Sequence, residues 1–278
     1  MEIEFYIMNS GGTFLCGAHV RANGIRQHYL RFGGKGPGLV LVPGIITPAV
    51  LWSDVADRLG KAFDVYVLDV RGRGLSESGD HLDYGIDACA ADVCAFVRSL
   101  KLGPAILVGH SNGARIAIRA ARRPDASLQR IVLLDPPVSG PGRRPYPSRL
   151  EPMLRLLEAA RRGEAWEGLL ASPYPRWPEP LMRLRAQWLH TCDPRAASVT
   201  HRGFHEDDIH ADLPLLRTPA TLIAAGKGGV ISDADEAEIR QLNPSIATSR
   251  VTNAGHQMQV DDFEATIAAI GRALGTRL

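Results

Sequence analysis

Short apolar runs recur along the chain at 39–42, 65–68, 105–108, 131–134, 221–225 and, more weakly, 247–251, each bounded by turn-forming residues. Between most of them the apolar positions change to helical spacing, at about 51–60, 86–100, 113–122, 233–242 and 262–274. An apolar run without alternation is a strand buried on both faces. Such strands separated by helices need crossover connections, so the pattern predicts an α/β fold with a mostly parallel sheet and helices on both faces. Ahead of this series, 18–32 reads as a β-hairpin: two alternating strands flank Asn23-Gly24, a pair suited to a tight turn.

One segment breaks the alternation. From 138 to 212 no strand pattern is found; the stretch is rich in Pro, Arg, Trp and His, with helical spacing near 149–162 and 180–191. A structureless loop of that length is rare in a compact domain. We therefore expect a helical cap inserted after the sixth core strand, with 1–137 and 213–278 forming the core. In open sheets of this kind functional groups gather at the C-terminal ends of the strands, the edge such a cap would cover.

Composition narrows the partners. The 278 residues are 45% hydrophobic and 22% charged, ordinary for a globular protein with a full core. The formal charge of +2 is spread rather than striped, which gives no reason to expect a nucleic-acid partner. No run approaches the ~18 apolar residues of a membrane span, so no membrane partner is expected. Met1-Glu2-Ile3-Glu4 begins acidic and lacks the apolar core of a secretory leader. Cys16, Cys89, Cys94 and Cys192 show no C-x-x-C spacing and read as reduced thiols, which suits a cytoplasmic protein. The glycine-rich run Gly33-Gly34-Lys35-Gly36-Pro37-Gly38 precedes a strand rather than following one, so it reads as a linker and no cofactor is implied. His201, His205 and His210 sit among Glu206, Asp207 and Asp208 without H-E-x-x-H spacing, and read as a polar cap helix facing water or substrate, with no metal.

The chemistry lies in Gly109-His110-Ser111-Asn112-Gly113, which joins the apolar run ending at Val108 to the helix-forming run Ala114-Arg115-Ile116-Ala117-Ile118. Strand, G-x-S-x-G and helix in that order form a nucleophile elbow, a tight turn that projects the serine from the sheet. A serine needs a base, and the base an orienting carboxylate. His256, in Asn253-Ala254-Gly255-His256 between the last strand and the final helix, is the one histidine of nine placed for that role. For the acid, the turn after 221–225 reads Gly226-Lys227-Gly228-Gly229 and carries no carboxylate; Asp233 follows later as the expected cap of the next helix. Asp135, at the tip of the preceding strand and followed by Pro136-Pro137, is the better candidate. The oxyanion donors are expected to be the backbone N–H of Asn112 and of Ile45, in the loop Pro43-Gly44-Ile45-Ile46. Asp69-Val70-Arg71-Gly72-Arg73-Gly74 reads as a structural turn.

With these motifs the chain resembles the α/β-hydrolase family, and within it the hydrolases that remove a formyl group from an amide nitrogen in nicotinate breakdown. The resemblance runs over nearly the whole length after about residue 17. It includes Ala22-Asn23-Gly24-Ile25-Arg26, Leu68-Asp69-Val70-Arg71-Gly72-Arg73-Gly74, Asp135-Pro136-Pro137-Val138-Ser139-Gly140, Trp188-Leu189-His190-Thr191-Cys192 and Phe204-His205-Glu206-Asp207-Asp208. It implies a deformylase with its acid on Asp135. It also implies a substrate with a free carboxylate, for which Arg143 and Arg144 are candidate partners, with Tyr146, Trp188, His190, Phe204 and His205 as further pocket candidates. Two positions depart from the family pattern: Asn112 stands where a methionine is expected, and Gln257-Met258-Gln259-Val260 replaces a turn bearing proline and tryptophan. Carboxylesterases, lactonases and C–C hydrolases use the same scaffold, as do ligand-binding receptors with little or no turnover, and these alternatives stay open.

Overall fold

The computed structural model describes residues 12–171 and 177–278. The acidic start at Met1-Glu2-Ile3-Glu4 lies outside the described residues. The chain opens with the expected hairpin, β1 (Phe14–Ala22) and β2 (Ile25–Phe32), paired antiparallel. Asn23 and Gly24 take φ of 52° and 77°, the two left-handed positions that a two-residue turn between twisted strands requires. There follow β3 (Gly38–Val42), α1 (Ser53–Leu59), β4 (Asp64–Leu68), α2 (Ile86–Ser99), β5 (Ala105–His110), α3 (Asn112–Ala121) and β6 (Leu128–Leu134). Four helices come next: α4 (Leu150–Arg161), α5 (Ala165–Leu170), α6 (Glu179–Leu189) and α7 (Pro194–Glu206). The chain then completes the sheet with β7 (Ala220–Ala225), α8 (Asp233–Leu242), β8 (Ala247–Val251), the single turn α9 (Met258–Asp261) and α10 (Phe263–Leu274).

The eight strands form one sheet in the order β1-β2-β4-β3-β5-β6-β7-β8, antiparallel at the β1-β2 and β2-β4 pairs and parallel elsewhere. Because side chains alternate along a strand, each apolar run feeds two cores. Val40, Val42, Leu107, Ile131, Leu133 and Leu222 join one core with residues of α2, α3 and the four inserted helices. Leu39, Leu41, Ile106, Val108, Val132 and Ile223 join the other with residues of α1 and α10. This two-sided burial is why the runs carry no polar alternation.

Two of the four inserted helices, α4 and α6, fall where helical spacing was found. The other two leave little trace. Helix α5 has six residues, too few for a period to show. Helix α7 buries Ala196, Ala197, Thr200 and Phe204, a stripe of mainly small side chains, and is capped by Asp193, which accepts the Arg195 N–H. Cys89, Cys94 and Cys192 are buried, Cys16 is half-buried, and all four are unpaired thiols. Among the described residues, no helix is long and apolar enough to cross a membrane.

Candidate active site at the strand ends

Strand β5 ends at His110, and the next residue, Ser111, has φ 53° and ψ −118°, a strained conformation for a side-chain-bearing residue. Helix α3 starts at once, and the turn closes only because two glycines lack side chains. A Cβ on Gly109 would lie 2.3 Å from the Gly113 carbonyl oxygen, and one on Gly113 would lie 1.8 Å from that of Val42. The strained turn aims Ser111 Oγ at His256: Oγ–H donates to Nε2 over 3.0 Å. The far side of the imidazole, Nδ1–H, donates to Asp135 Oδ2 over 2.7 Å. The three side chains come from the C-terminal ends of β5 and β6 and from the loop after β8.

Asp135 is fully buried, at a left-handed φ of 43°. Its Oδ1 accepts the Ala225 N–H at 3.1 Å and its Oδ2 the Val230 N–H at 3.0 Å. Burial pulls its carboxyl upward, but the His256 hydrogen bond and charge, with the two N–H groups, outweigh this and hold it below the ordinary carboxylate range. The His256 loop is tied down twice: Gly255 N–H donates to Asp261 Oδ2 at 2.9 Å, and His110 Nε2–H to the His256 carbonyl at 2.8 Å. The alternative acid is elsewhere. Asp233 has a 98% exposed side chain paired with Arg250, and the cap of α8 is Ser232, in a capping box with Asp235, not Asp233 as its sequence position suggested.

The loop after β3 closes the other side. At Gly44 an added Cβ would sit 3.4 Å from His110 Nδ1 and 3.5 Å from Ser111 Cβ, so this backbone packs directly on the elbow. Neither the Ile45 nor the Asn112 N–H has a hydrogen-bond partner among the described residues, which leaves both able to donate to an oxygen bound beside Ser111. The Ile45 carbonyl is held from behind by Arg73 Nε at 2.9 Å. That side chain is 1% exposed and also donates to the Arg71 and Ala196 carbonyls and to Thr200 Oγ1. The glycine-rich turn after β4 is thus structural, and its second arginine ties the loop after β3 to α7. Arg115 of α3 does the same for the elbow, donating to the carbonyls of Pro137, Ser139, Gly203 and Asp207.

Ser111, His256 and Ile45 line a cavity of about 360 Å³, within the ~300–1,000 Å³ of small-molecule sites. Of the pocket candidates, Tyr146 lines it, together with Met153, Trp177 and Arg185 from the inserted segment. The others are not brought there. Arg143 forms a two-pronged ion pair with Glu238, at 2.6 and 2.7 Å, and Arg144 bonds Asp235 and the Val230 carbonyl. Both arginines fasten the segment after β6 to the region of α8 and do not face the cavity, because partners on that neighbouring helix already engage their guanidinium groups. His190 is exposed and Trp188 half-buried on α6, outside the lining. Phe204 is buried under Tyr146, with ring centroids 4.7 Å apart, and His205 lies tilted against His201 with ring centroids 5.4 Å apart. His201 Nε2 bonds the Ser148 carbonyl, and His210 is buried. Among the described residues, no group of three or more His, Cys, Asp or Glu is placed to hold a metal ion.

The two departures differ in position. Asn112 faces a small space behind the nucleophile, beside Arg115, Thr200 and Phe204, whereas Gln257 lines the main cavity. Sequence reasoning passed over His110, Arg73, Arg115 and Arg185. The last had a signal: it recurs at helical spacing between Met182 and Leu189, the buried stripe of α6.

Known proteins similar to this chain are numerous. An N-formylmaleamate deformylase of Pseudomonas putida is 54% identical over 93% of this chain and 96% of its own length. The 2-(acetamidomethylene)succinate hydrolase of Mesorhizobium japonicum is 28% identical over 87% of this chain and 89% of its own. The crystal structure of an N-formylmaleamic acid deformylase from Pseudomonas putida superposes with a TM-score of 0.86 at 47% identity, covering 92% of this chain and all of that one. The model of the alpha/beta hydrolase family matches residues 39–269, and with the sheet order, the elbow and these relatives, the chain belongs to that family.

Proposed function

We propose that this protein is an N-formyl amide hydrolase that releases formate from N-formylmaleamate, with Ser111 as nucleophile, His256 as general base and acid, and Asp135 as its orienting carboxylate. The observation that carries this reading is the unbroken relay from Asp135 through His256 to Ser111 at the wall of the cavity. The 54% identity to a deformylase supports the choice of bond.

The chemistry follows from the geometry. His256 Nε2 takes the Ser111 proton as Oγ attacks the formyl carbon, and the new oxyanion rests on the Ile45 and Asn112 N–H groups. Loss of one such donor costs about 10²–10³ in rate. Collapse breaks the C–N bond, and the proton on Nε2 passes to the leaving nitrogen, giving maleamate. Water then gives a proton to His256 and its hydroxide to the formyl ester, freeing formate and restoring the Ser111 hydroxyl. Throughout, Asp135 holds Nδ1 protonated and stabilises the imidazolium. We further propose that the inserted segment, 138–212, acts as a cap: it supplies Tyr146, Met153, Trp177 and Arg185 to the cavity, while Arg73 and Arg115 fix it to the core.

Purified protein assayed on N-formylmaleamate beside a panel of simple esters tests the reading. Formate and maleamate should appear in equal amounts. Strong ester turnover without formate release would overturn it.

A further inference from the structure

Besides the reacting groups, two cations among the described residues line the cavity, Arg185 and Lys227, and they differ in kind. Lys227 is exposed at the mouth, where water and salt screen its charge. Arg185 is 7% exposed, on the buried stripe of α6. A guanidinium held at a buried cavity wall presents a fixed fork of donors to whatever occupies the cavity. Its carbon lies 4.6 Å from the centre of the Trp177 ring, so the indole face orients the planar guanidinium, and recognition of a carboxylate uses the guanidinium edge. Trp177 is 8% exposed, lines the same cavity, and its Nε1–H is a buried donor with no hydrogen-bond partner among the described residues. A buried donor of this kind is costly unless something accepts from it.

We propose that Arg185 and the Trp177 indole N–H form an anion subsite that takes the carboxylate of the substrate and makes the enzyme selective for anionic formyl amides. The inference rests on the deformylase reading and deepens it. N-formylmaleamate carries its carboxylate at the end of the molecule opposite the formyl group, so one cavity with Ser111 on its wall and a cationic subsite among the inserted helices would hold both ends. Anchoring the inert end positions the formyl carbon against Oγ, which is binding energy used for orientation.

The test is a ratio: kcat/KM for formate release from N-formylmaleamate divided by that from its neutral methyl ester, measured on one preparation so that any loss of folded protein cancels. The wild-type ratio should be on the order of 10², the scale of one charge-assisted bidentate contact with a supporting hydrogen bond. Arg185→Met should bring it close to one. Trp177→Phe, which keeps the ring and removes the donor, should lower it about 10-fold through KM. Lys227→Met should leave it within about 2-fold. A ratio unchanged in Arg185→Met with formate still released, or a ratio that collapses only in Lys227→Met, would overturn the subsite and leave the deformylase reading intact. Absence of formate from either substrate with the wild-type protein would overturn both.

Discussion

Asp135→Asn isolates what the buried carboxylate does. The side chain is fully buried and accepts three N–H groups: Ala225 on Oδ1, Val230 and His256 Nδ1 on Oδ2. Asparagine matches its shape but offers one acceptor and two donors. If the amide NH₂ replaces Oδ2, it faces His256 Nδ1 and forces that nitrogen to accept. The ring proton then sits on Nε2, and His256 cannot take the proton of Ser111. If the amide is turned the other way, its NH₂ meets the Ala225 N–H, and a buried donor loses its partner at about 1–3 kcal/mol. The first outcome removes catalysis and also leaves the Val230 N–H facing a donor, so both orientations cost stability, and only the second keeps partial activity. The loss in kcat expected for the wrong tautomer is about 10⁴, equivalent to ~5.4 kcal/mol at ~1.36 kcal/mol per tenfold. Asp233→Asn, altering a side chain that is 98% exposed, should keep formate release within about 2-fold. Formate is measured in steady state, with urea midpoints taken alongside to separate inactivation from unfolding. An Asp135→Asn enzyme with more than about a tenth of wild-type kcat, or an inactive Asp233→Asn, would refute the assignment of the acid.

Other consequences are equally open to measurement. Burial, and then the nearby His256 charge, push the His110 imidazole down to about 3, whereas an unfolded histidine titrates near ~6.5. The unfolded chain therefore takes up a proton that the native state refuses. Stability is whole above ~6.5 and falls as pH drops toward the native value, by up to ~1.4 kcal/mol per pH unit from this group. His110→Asn should lose less stability than wild type between pH 7 and pH 4.5 in urea titrations; parallel losses would contradict this. Arg73→Met leaves four acceptors without their donor, including the Ile45 carbonyl behind the oxyanion loop. It should cost about 3–5 kcal/mol in urea denaturation, and kcat of the folded enzyme should fall as well. An unchanged kcat would show that the loop is held otherwise. Arg143→Ala breaks a half-exposed pair with Glu238, so KM should stay within about 2-fold and stability fall by no more than about 1 kcal/mol. A large rise in KM would return that arginine to the substrate.

Much of the fold was legible because two-sided burial prints continuous apolar runs, and because Asn23-Gly24 and Gly109-x-x-x-Gly113 are demanded by backbone geometry. The placing of Asp135 beside His256 was legible for a local reason: β6 ends in a carboxylate and the turn after β7 has none. Other features lay outside local pattern. Helix α7 buries alanines, which give a weak period, and Arg73 and Arg115 reach the inserted segment through carbonyls more than 80 residues away in the chain. The pairs Arg143–Glu238 and Arg144–Asp235 are likewise long-range. Proximity to Asp135 in sequence therefore made those two arginines look like substrate partners. Arg185 sits 74 positions after Ser111 in sequence, and only the folding of α6 over the sheet edge brings it to the cavity.

The central claim is that Ser111 becomes formylated. N-formylmaleamate has two C–N bonds to its nitrogen, and substrate carrying an isotopic label in the formyl carbon separates the routes. Acid quenching during the first turnover should leave label on the protein, confined to the peptide containing Ser111 and absent in Ser111→Ala. Label appearing only as free formate, with none ever bound, or leaving as formamide, would contradict the account.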